Sequence, residues 1–522
     1  MDAAEREAMT ARWIEAMCEY VEFLYRKRFQ NAKIAARLTL LELPNLFALL
    51  DHLQRTNDSA ATIHSAVSFS TLLQDLGKPR LMERVAQVRD AVSETLSEDW
   101  NHLSFQTLYS TIDHHVAGRR FREALVSAEE LLRRAREAGD DAYPYSDYDL
   151  AISCWLMSRV LQNIHRANQA LLLLDEAQQR FEAVAKNRRS KGAEHMATSC
   201  LAEKGACLLC LSRLDDATSA YEESIRRAER LGDERQIAVG KGQLGTVRLE
   251  QRRYPEALAA HEEARQRFAK LGEPLSVAVS WHQIGKVCRD AGTPEAAEDA
   301  YRKSLAIRVR IGDVAGQAGT LLELGNLYAA DLDHPVEAVN FYRNAAGKYA
   351  EIGDATMEAV VRGNLGDGFR KLRRYEEARK EILSALKCGE NSGLTSFPWN
   401  IWAILADIET DAGNPAAAAE AKRKAITCYL AYRRDGGENH HPDGRICLAV
   451  TQSLLAGDPA QAASLLRQQL PRFEAAGFDG FIRALQAIVA GSRDRTLADA
   501  PELHYTMAAE ILFLLETLEK PR

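Results

Sequence analysis

The sequence predicts an all-α fold, a solenoid of antiparallel helical hairpins. Three observations carry that reading. Gly205, Gly245, Gly285, Gly325 and Gly366 recur every 40 or 41 residues. Ala217, Ala257, Ala297, Ala338 and Ala378 follow them by twelve residues, thirteen in the fourth case, and Tyr221, His261, Tyr301, Tyr342 and Ile382 come four further on. Leu231-Gly232-Asp233, Leu271-Gly272-Glu273, Ile311-Gly312-Asp313 and Ile352-Gly353-Asp354 keep the same period. A repeat of this length points to stacked supersecondary units and not to a single enzyme core.

The unit from Ala238 to Gly272 shows why each repeat is a hairpin. Its first half places Val239, Leu244, Val247 and Leu249, and its second half Ala257, Leu258, Ala260, Ala264 and Phe268, at spacings near three and four. Such spacing marks two amphipathic helices. Between them lies a short polar turn, with Pro255 where a helix can begin because its missing N–H is not needed. Gly245 and Ala257 read as small residues that let the two backbones approach, and Tyr301 and Tyr342 as fillers of the gap to the next unit. Glycine then ends the second helix in a left-handed conformation, and the acidic residue after it caps the next helix.

In chain order, residues 1–60 read as an N-terminal helical cap, with a helix near Trp13–Tyr25 and a second starting at Pro44 that buries Leu46, Leu49, Leu50 and Leu53. Residues 61–197 read as divergent helical repeats, with helix-turn-helix junctions at Phe121–Ala124 and Ala167–Ala170 and small positions at Ala151, Cys154 and Ser158. Residues 198–390 hold the well-matched repeats. Residues 391–490 are again divergent, with junctions at Gly413–Ala416 and Gly457–Ala460 and a glycine-rich loop at 432–445. Residues 491–522 supply a C-terminal capping helix near Pro501–Leu518, apolar at Tyr505, Ala508, Ile511, Leu512, Leu515 and Leu518.

The small residue, alanine and aromatic at Gly205, Ala217 and Tyr221, and again at Gly285, Ala297 and Tyr301, resemble the tetratricopeptide repeat in its long-unit form, similar to kinesin light chains and to the repeat sensor regions of bacterial signalling ATPases. The match is strongest over Thr198–Leu386. It implies a right-handed superhelix whose first helices line a concave groove, and a regulatory scaffold that binds protein or peptide there. Glu42–Leu53 resembles the linker helix with which the sensor region of those ATPases begins. Their phosphate-cradling G-x-x-x-x-G-K-[ST] loop is absent from the sequence, so no ATPase module is expected.

The chain has 522 residues, a formal charge of −7 and no uninterrupted apolar run of membrane-spanning length. The acidic balance argues against a general nucleic-acid binder. The basic pairs Arg119-Arg120, Arg133-Arg134 and Arg373-Arg374 read as solvated surface. The start Met1-Asp2-Ala3-Ala4-Glu5 lacks the pattern of a secretion signal, and nine scattered cysteines suit a reducing cytoplasm, so a cytoplasmic protein is expected.

Candidate chemistry is sparse. Cys207 and Cys210 have the spacing of a redox or metal pair but lie in a predicted helix without a second pair. His440-His441 with Asp435, Glu438 and Asp443 is the densest group of ligand types, yet nothing in its spacing fixes a geometry, and it reads as a solvated loop. His114 and His115 diverge by about 100° on a helix. No catalytic residue, cofactor or metal is assigned, and the chain reads as a non-enzyme.

The resemblance places Thr246 and Glu250, then His282, Lys286 and Arg289, then Asn326, then Asp367, Arg370 and Lys371 on the groove wall. Lys286, Arg289, Arg370 and Lys371 predict a locally cationic wall suited to an acidic or C-terminal peptide, with Asn326 holding peptide backbone through its two-sided amide. Thr246 and Asp367 stand where a carboxylate clamp for a chaperone tail would need other residues, which disfavours that partner. A small-molecule-sensing regulatory subunit is the alternative reading. Self-association stays open.

Overall fold

The computed structural model describes residues 2–30, 32–56, 58–76, 79–93, 100–118, 120–391, 398–439, 441–475, 477–500 and 502–519. The described residues form α-helices, one short 3-10 turn at Arg495–Ala498 and no strand. The chain divides into two compact units, Met1–Arg267 and Phe268–Arg522.

The first unit contains α1 (Ala3–Gln30), α2 (Ala32–Arg55), α3 (Ser59–Asp75), α4 (Pro79–Ser93), α5 (His102–Ala117), α6 (Phe121–Ala138), α7 (Ser146–Asn163), α8 (Ala167–Arg188), α9 (Lys191–Cys210), α10 (Leu214–Leu231) and α11 (Glu234–Glu250). Helix α12 (Tyr254–Leu271) carries the chain into the second unit. There follow α13 (Pro274–Asp290), α14 (Pro294–Ile311), α15 (Val314–Ala330), α16 (Pro335–Ile352), α17 (Ala355–Lys371), α18 (Tyr375–Asn391), α19 (Pro398–Asp411), α20 (Pro415–Arg434), α21 (Pro442–Leu455), α22 (Pro459–Ala475), α23 (Asp479–Val489) and α24 (Tyr505–Glu519).

Within each unit a helix packs chiefly on its neighbours in the chain, as hairpins stacked on hairpins. In the first unit, α1–α4 share a core containing Leu24, Leu46, Leu49, Leu50, Leu53, Phe69 and Leu73. Pro44 does not start a helix, as its position suggested, but lies inside α2. Its ring leaves the carbonyl four residues earlier without its helical donor, in a turn that exposes Leu40 and Leu41. Further on, Asn101 starts α5 by accepting from the backbone N–H of Leu103 at 2.9 Å and of Ser104 at 3.1 Å. The small residues Ala151, Cys154 and Ser158 are all fully buried on α7.

The repeated glycine and aromatic prove to be one device. A Cβ on Gly205 would lie 2.7 Å from the Tyr221 ring, one on Gly245 2.8 Å from His261, one on Gly285 2.6 Å from Tyr301, and one on Gly325 2.5 Å from Tyr342. The ring thus lies on the glycine of its own hairpin, a partner that the spacing did not single out. A flat ring needs the volume a Cβ would take. Ile382 fills the same space above Gly366 at 2.7 Å. Contact between successive hairpins uses other glycines: Gly240 against Ile225 at 2.7 Å and Gly368 against Val339 at 2.9 Å.

The connections between hairpins follow from Gly-Asp. Gly232, Gly312 and Gly353 take φ of 68°, 73° and 72°, and the next residue caps the following helix: Asp233 accepts from Gln236 N–H at 2.9 Å, Asp313 from Gly316 at 3.0 Å and Asp354 from Met357 at 3.0 Å. In the turns inside hairpins the left-handed position falls to Gly292 and Gly413 but also to Ser212, Arg252 and Arg373.

At the C-terminal end helix takes up both edges of the loop expected at 432–445, because α20 runs to Arg434 and Pro442 opens α21. The last helix does not simply seal the final hairpin. α24 packs on both α20 and α21, and buries Ala509, Glu510 and Leu514 besides Ala508, Ile511 and Leu515. Glu510 meets the Arg433 guanidinium at 2.9 Å and accepts from the Tyr429 hydroxyl at 3.1 Å and Asn439 Nδ2 at 3.1 Å.

Candidate binding face

The first helices of successive hairpins in the second unit, α13, α15, α17 and α19, are linked by polar contacts one repeat apart. His282 Nδ1 lies 3.3 Å from Thr320 Oγ1, Arg289 Nε donates to Asp331 at 2.7 Å, Asn364 Nδ2 lies 3.5 Å from Asn326 Oδ1, and Arg370 Nη1 donates to Asp411 at 2.7 Å. Register in the sequence thereby becomes adjacency in space.

Between α13, α15 and α17 lies a recess of about 220 Å³. Arg289, Asn326, Asp367 and Lys371, four of the residues expected on the groove wall, line it together with Tyr342 and Asn364. It is open because Ala329, Ala330 and Gly368 carry little or no side chain there. The Tyr342 hydroxyl donates to Asn326 Oδ1 at 2.9 Å, which fixes the amide with its oxygen toward Tyr342 and its Nδ2 donors available to the recess. Asn364 brings a second amide to the same point.

The wall is not locally cationic. Arg289 is paired with Asp331 and, at 3.4 Å, with Glu323; Arg370 with Asp411 and, at 2.8 Å, with Asp367; Lys371 with Asp367 at 3.4 Å. The expectation weighed each cation singly, whereas every arginine meets a carboxylate from its own helix, the next helix or the turn after it. Lys286 differs: it is exposed and has no ion pair among the described residues. His282 is a packing residue, its ring edge-on to Tyr301 at 5.5 Å. Burial, followed by Arg308 and Lys286, lowers its pKa to about 4, so it carries no charge at neutral pH.

Asp331, Asn364, Asp407 and Asp411 were missed. Asp411 stands one repeat length, 41 residues, after Arg370, and Asp331 stands 42 residues after Arg289, one more than the repeat. Asp407 is exposed on α19, and its charge is felt beside Asp367, Arg370 and Asp411. Partial desolvation of its carboxyl raises its pKa; Asp367 and Asp411 add to this and Arg370 opposes it.

The other candidates have no comparable setting. The Thr246 hydroxyl bonds to Gly242 O of its own helix at 3.4 Å. Cys207 is buried and Cys210 exposed. His440 and Arg119 lie outside the described residues, and no group of metal-ligating side chains occurs among the described residues. No helix among the described residues is long and apolar enough to cross a membrane.

Residues 236–308, which hold the Gly245–His261 and Gly285–Tyr301 pairs, match the tetratricopeptide repeat family. These residues carry tetratricopeptide repeats. No curated protein matches the chain. Among solved structures, the repeats are similar to BtubC (BKLC) from P. vanneervenii, at 21% identity over 45% of this chain and 92% of that one, with a TM-score of 0.39. They are similar to the quorum sensor NprR from B. thuringiensis at 15% identity, over 71% and 99%, with a TM-score of 0.46. They are also similar to a signal transduction ATPase with numerous domains, PH0952 from Pyrococcus horikoshii, which has a tetratricopeptide repeat sensor: 13% identity over 68% of this chain and 60% of that one, TM-score 0.46. At TM-scores this low, none of these likenesses bears on the side chains of the face.

Proposed function

We propose that the tetratricopeptide repeats form a non-catalytic scaffold that docks a protein or peptide segment on the face of α13, α15, α17 and α19, as a regulatory adaptor does. One observation carries this reading: Tyr342 and Asn364 converge on Asn326 at the edge of a recess, leaving oriented amide donors for a main-chain carbonyl. The paired arginines and carboxylates around it keep the face polar while holding its geometry. A small-molecule sensor that uses this recess is less well supported, because its volume of about 220 Å³ falls below the ~300 Å³ at which ligand pockets begin.

Changing Asn326 and Asn364 together to alanine tests the reading. Peptides selected by the wild-type chain from a randomised library should bind the variant about tenfold more weakly, the loss expected for one or two hydrogen bonds. The buried Tyr342 hydroxyl loses its acceptor in this variant, so the fold should also lose about 1–3 kcal/mol, and binding is measured well below the thermal midpoint. Unchanged affinity would remove this face as the docking surface.

A further inference from the structure

The polar face has unequal ends. At α13, the exposed Lys286 has no ion pair among the described residues; at α19, the exposed Asp407 has none either. Between them the charges are matched, Arg289 by Asp331 and Glu323, and Arg370 and Lys371 by Asp367 and Asp411. An ion pair already made within the protein gives a partner little to gain, whereas an unpaired charge at each end attracts its opposite.

We propose that this face selects a polarised peptide: an extended segment with a carboxylate over Lys286 and a basic side chain or free amino group over Asp407. The inference rests on the docking reading above and adds the chemistry of the partner. α13 and α19 are separated by three helix-to-helix steps, each no shorter than the ~8–10 Å of packed helices, so the two charges stand at least roughly 24–30 Å apart. An extended chain covers that distance in about seven to nine residues. Each terminal pair is exposed to solvent, so each should change affinity by no more than about fivefold, and less at high salt.

The test pans a library of randomised nine-residue peptides against the full chain and against the single variants Lys286→Glu and Asp407→Lys. Wild type should enrich peptides acidic at one end and basic at the other. Lys286→Glu should shift the selected set to basic residues at both ends, and Asp407→Lys to acidic residues at both. The milder variants Lys286→Gln and Asp407→Asn should lose the preference at one end only, which guards against a reversal that unfolds the repeats. Selected peptides without charged ends, or the same peptides from all the proteins, would overturn this inference and leave the docking face standing. If wild type enriches no peptide at all, the docking reading falls and this inference with it.

Discussion

Tyr301 lies flat against Gly285, so that a Cβ on the glycine would stand 2.6 Å from its Cδ1. Both residues belong to one hairpin, α13 on α14, and the ring is fully buried. A ring cannot swing aside as the tip of a flexible chain does. Gly285→Ala should therefore destabilise by about 1–3 kcal/mol through overpacking, despite the better helix propensity of alanine. Gly242 supplies the control. Its Cβ would meet only Ala264 at 3.8 Å, so Gly242→Ala should stabilise by about 0.5–1 kcal/mol. Urea unfolding of the two variants checks the opposite signs.

The same ring position yields a second contrast. Tyr301's hydroxyl is buried with no hydrogen-bond partner among the described residues, whereas Tyr342's donates to Asn326 at 2.9 Å. Removing an unpartnered buried hydroxyl relieves a desolvation cost, and removing a partnered one loses a bond. Tyr301→Phe should be neutral or stabilising. Tyr342→Phe should cost about 0.5–1.5 kcal/mol and should also weaken peptide binding by loosening Asn326. Thermal midpoints and library-peptide affinities measured side by side separate the two effects.

The hairpins were legible because the period of glycine and alanine is set by packing within each unit, and Gly-Asp ends were legible because capping is local. The partner of each glycine was not, since spacing alone does not distinguish Ala297 from Tyr301 as the group facing Gly285. Electrostatics was harder still. Arg289 and Arg370 look like free cations until Asp331 and Asp411, 42 and 41 residues on, are brought beside them by stacking. Pro44 misled for the opposite reason: a proline signal is local, and the packing of Leu46, Leu49 and Leu50 into the α1–α4 core overrides it.

His282 gives a pH dependence. Its pKa falls from the ordinary 6.5 to about 4, first through burial and then through Arg308 and Lys286. Below pH 6.5 the unfolded chain takes up a proton that the folded ring refuses, so stability is complete above that pH and is lost as pH falls toward 4. The contribution is at most about 3 kcal/mol by the usual conversion. His282→Gln should flatten this part of the stability curve between pH 7 and pH 4. An identical slope in wild type and variant would show that other groups govern it.

The Arg433–Glu510 pair should decide whether α24 stays docked. Glu510 is 1% exposed and Arg433 9% exposed, and the guanidinium also lies 4.7 Å from the Phe513 ring centroid. The hydroxyl of Tyr429 and the amide of Asn439 both donate to Glu510 Oε1, the oxygen that Arg433 Nε approaches at 2.9 Å. Glu510→Ala removes the acceptor they share and leaves a buried guanidinium without its counter-ion. Such a loss costs about 3–5 kcal/mol, far more than the pair itself is worth against an apolar replacement. Replacing both partners, Arg433→Met with Glu510→Leu, should recover much of the loss, because no charge is then stranded. Hydrogen exchange along α20 and α24 reads the result locally: faster exchange in the single variant and near wild-type protection in the double. Equal protection in all three proteins would mean that apolar contacts such as Ile511 and Leu515, both fully buried, hold α24 without help from the ion pair.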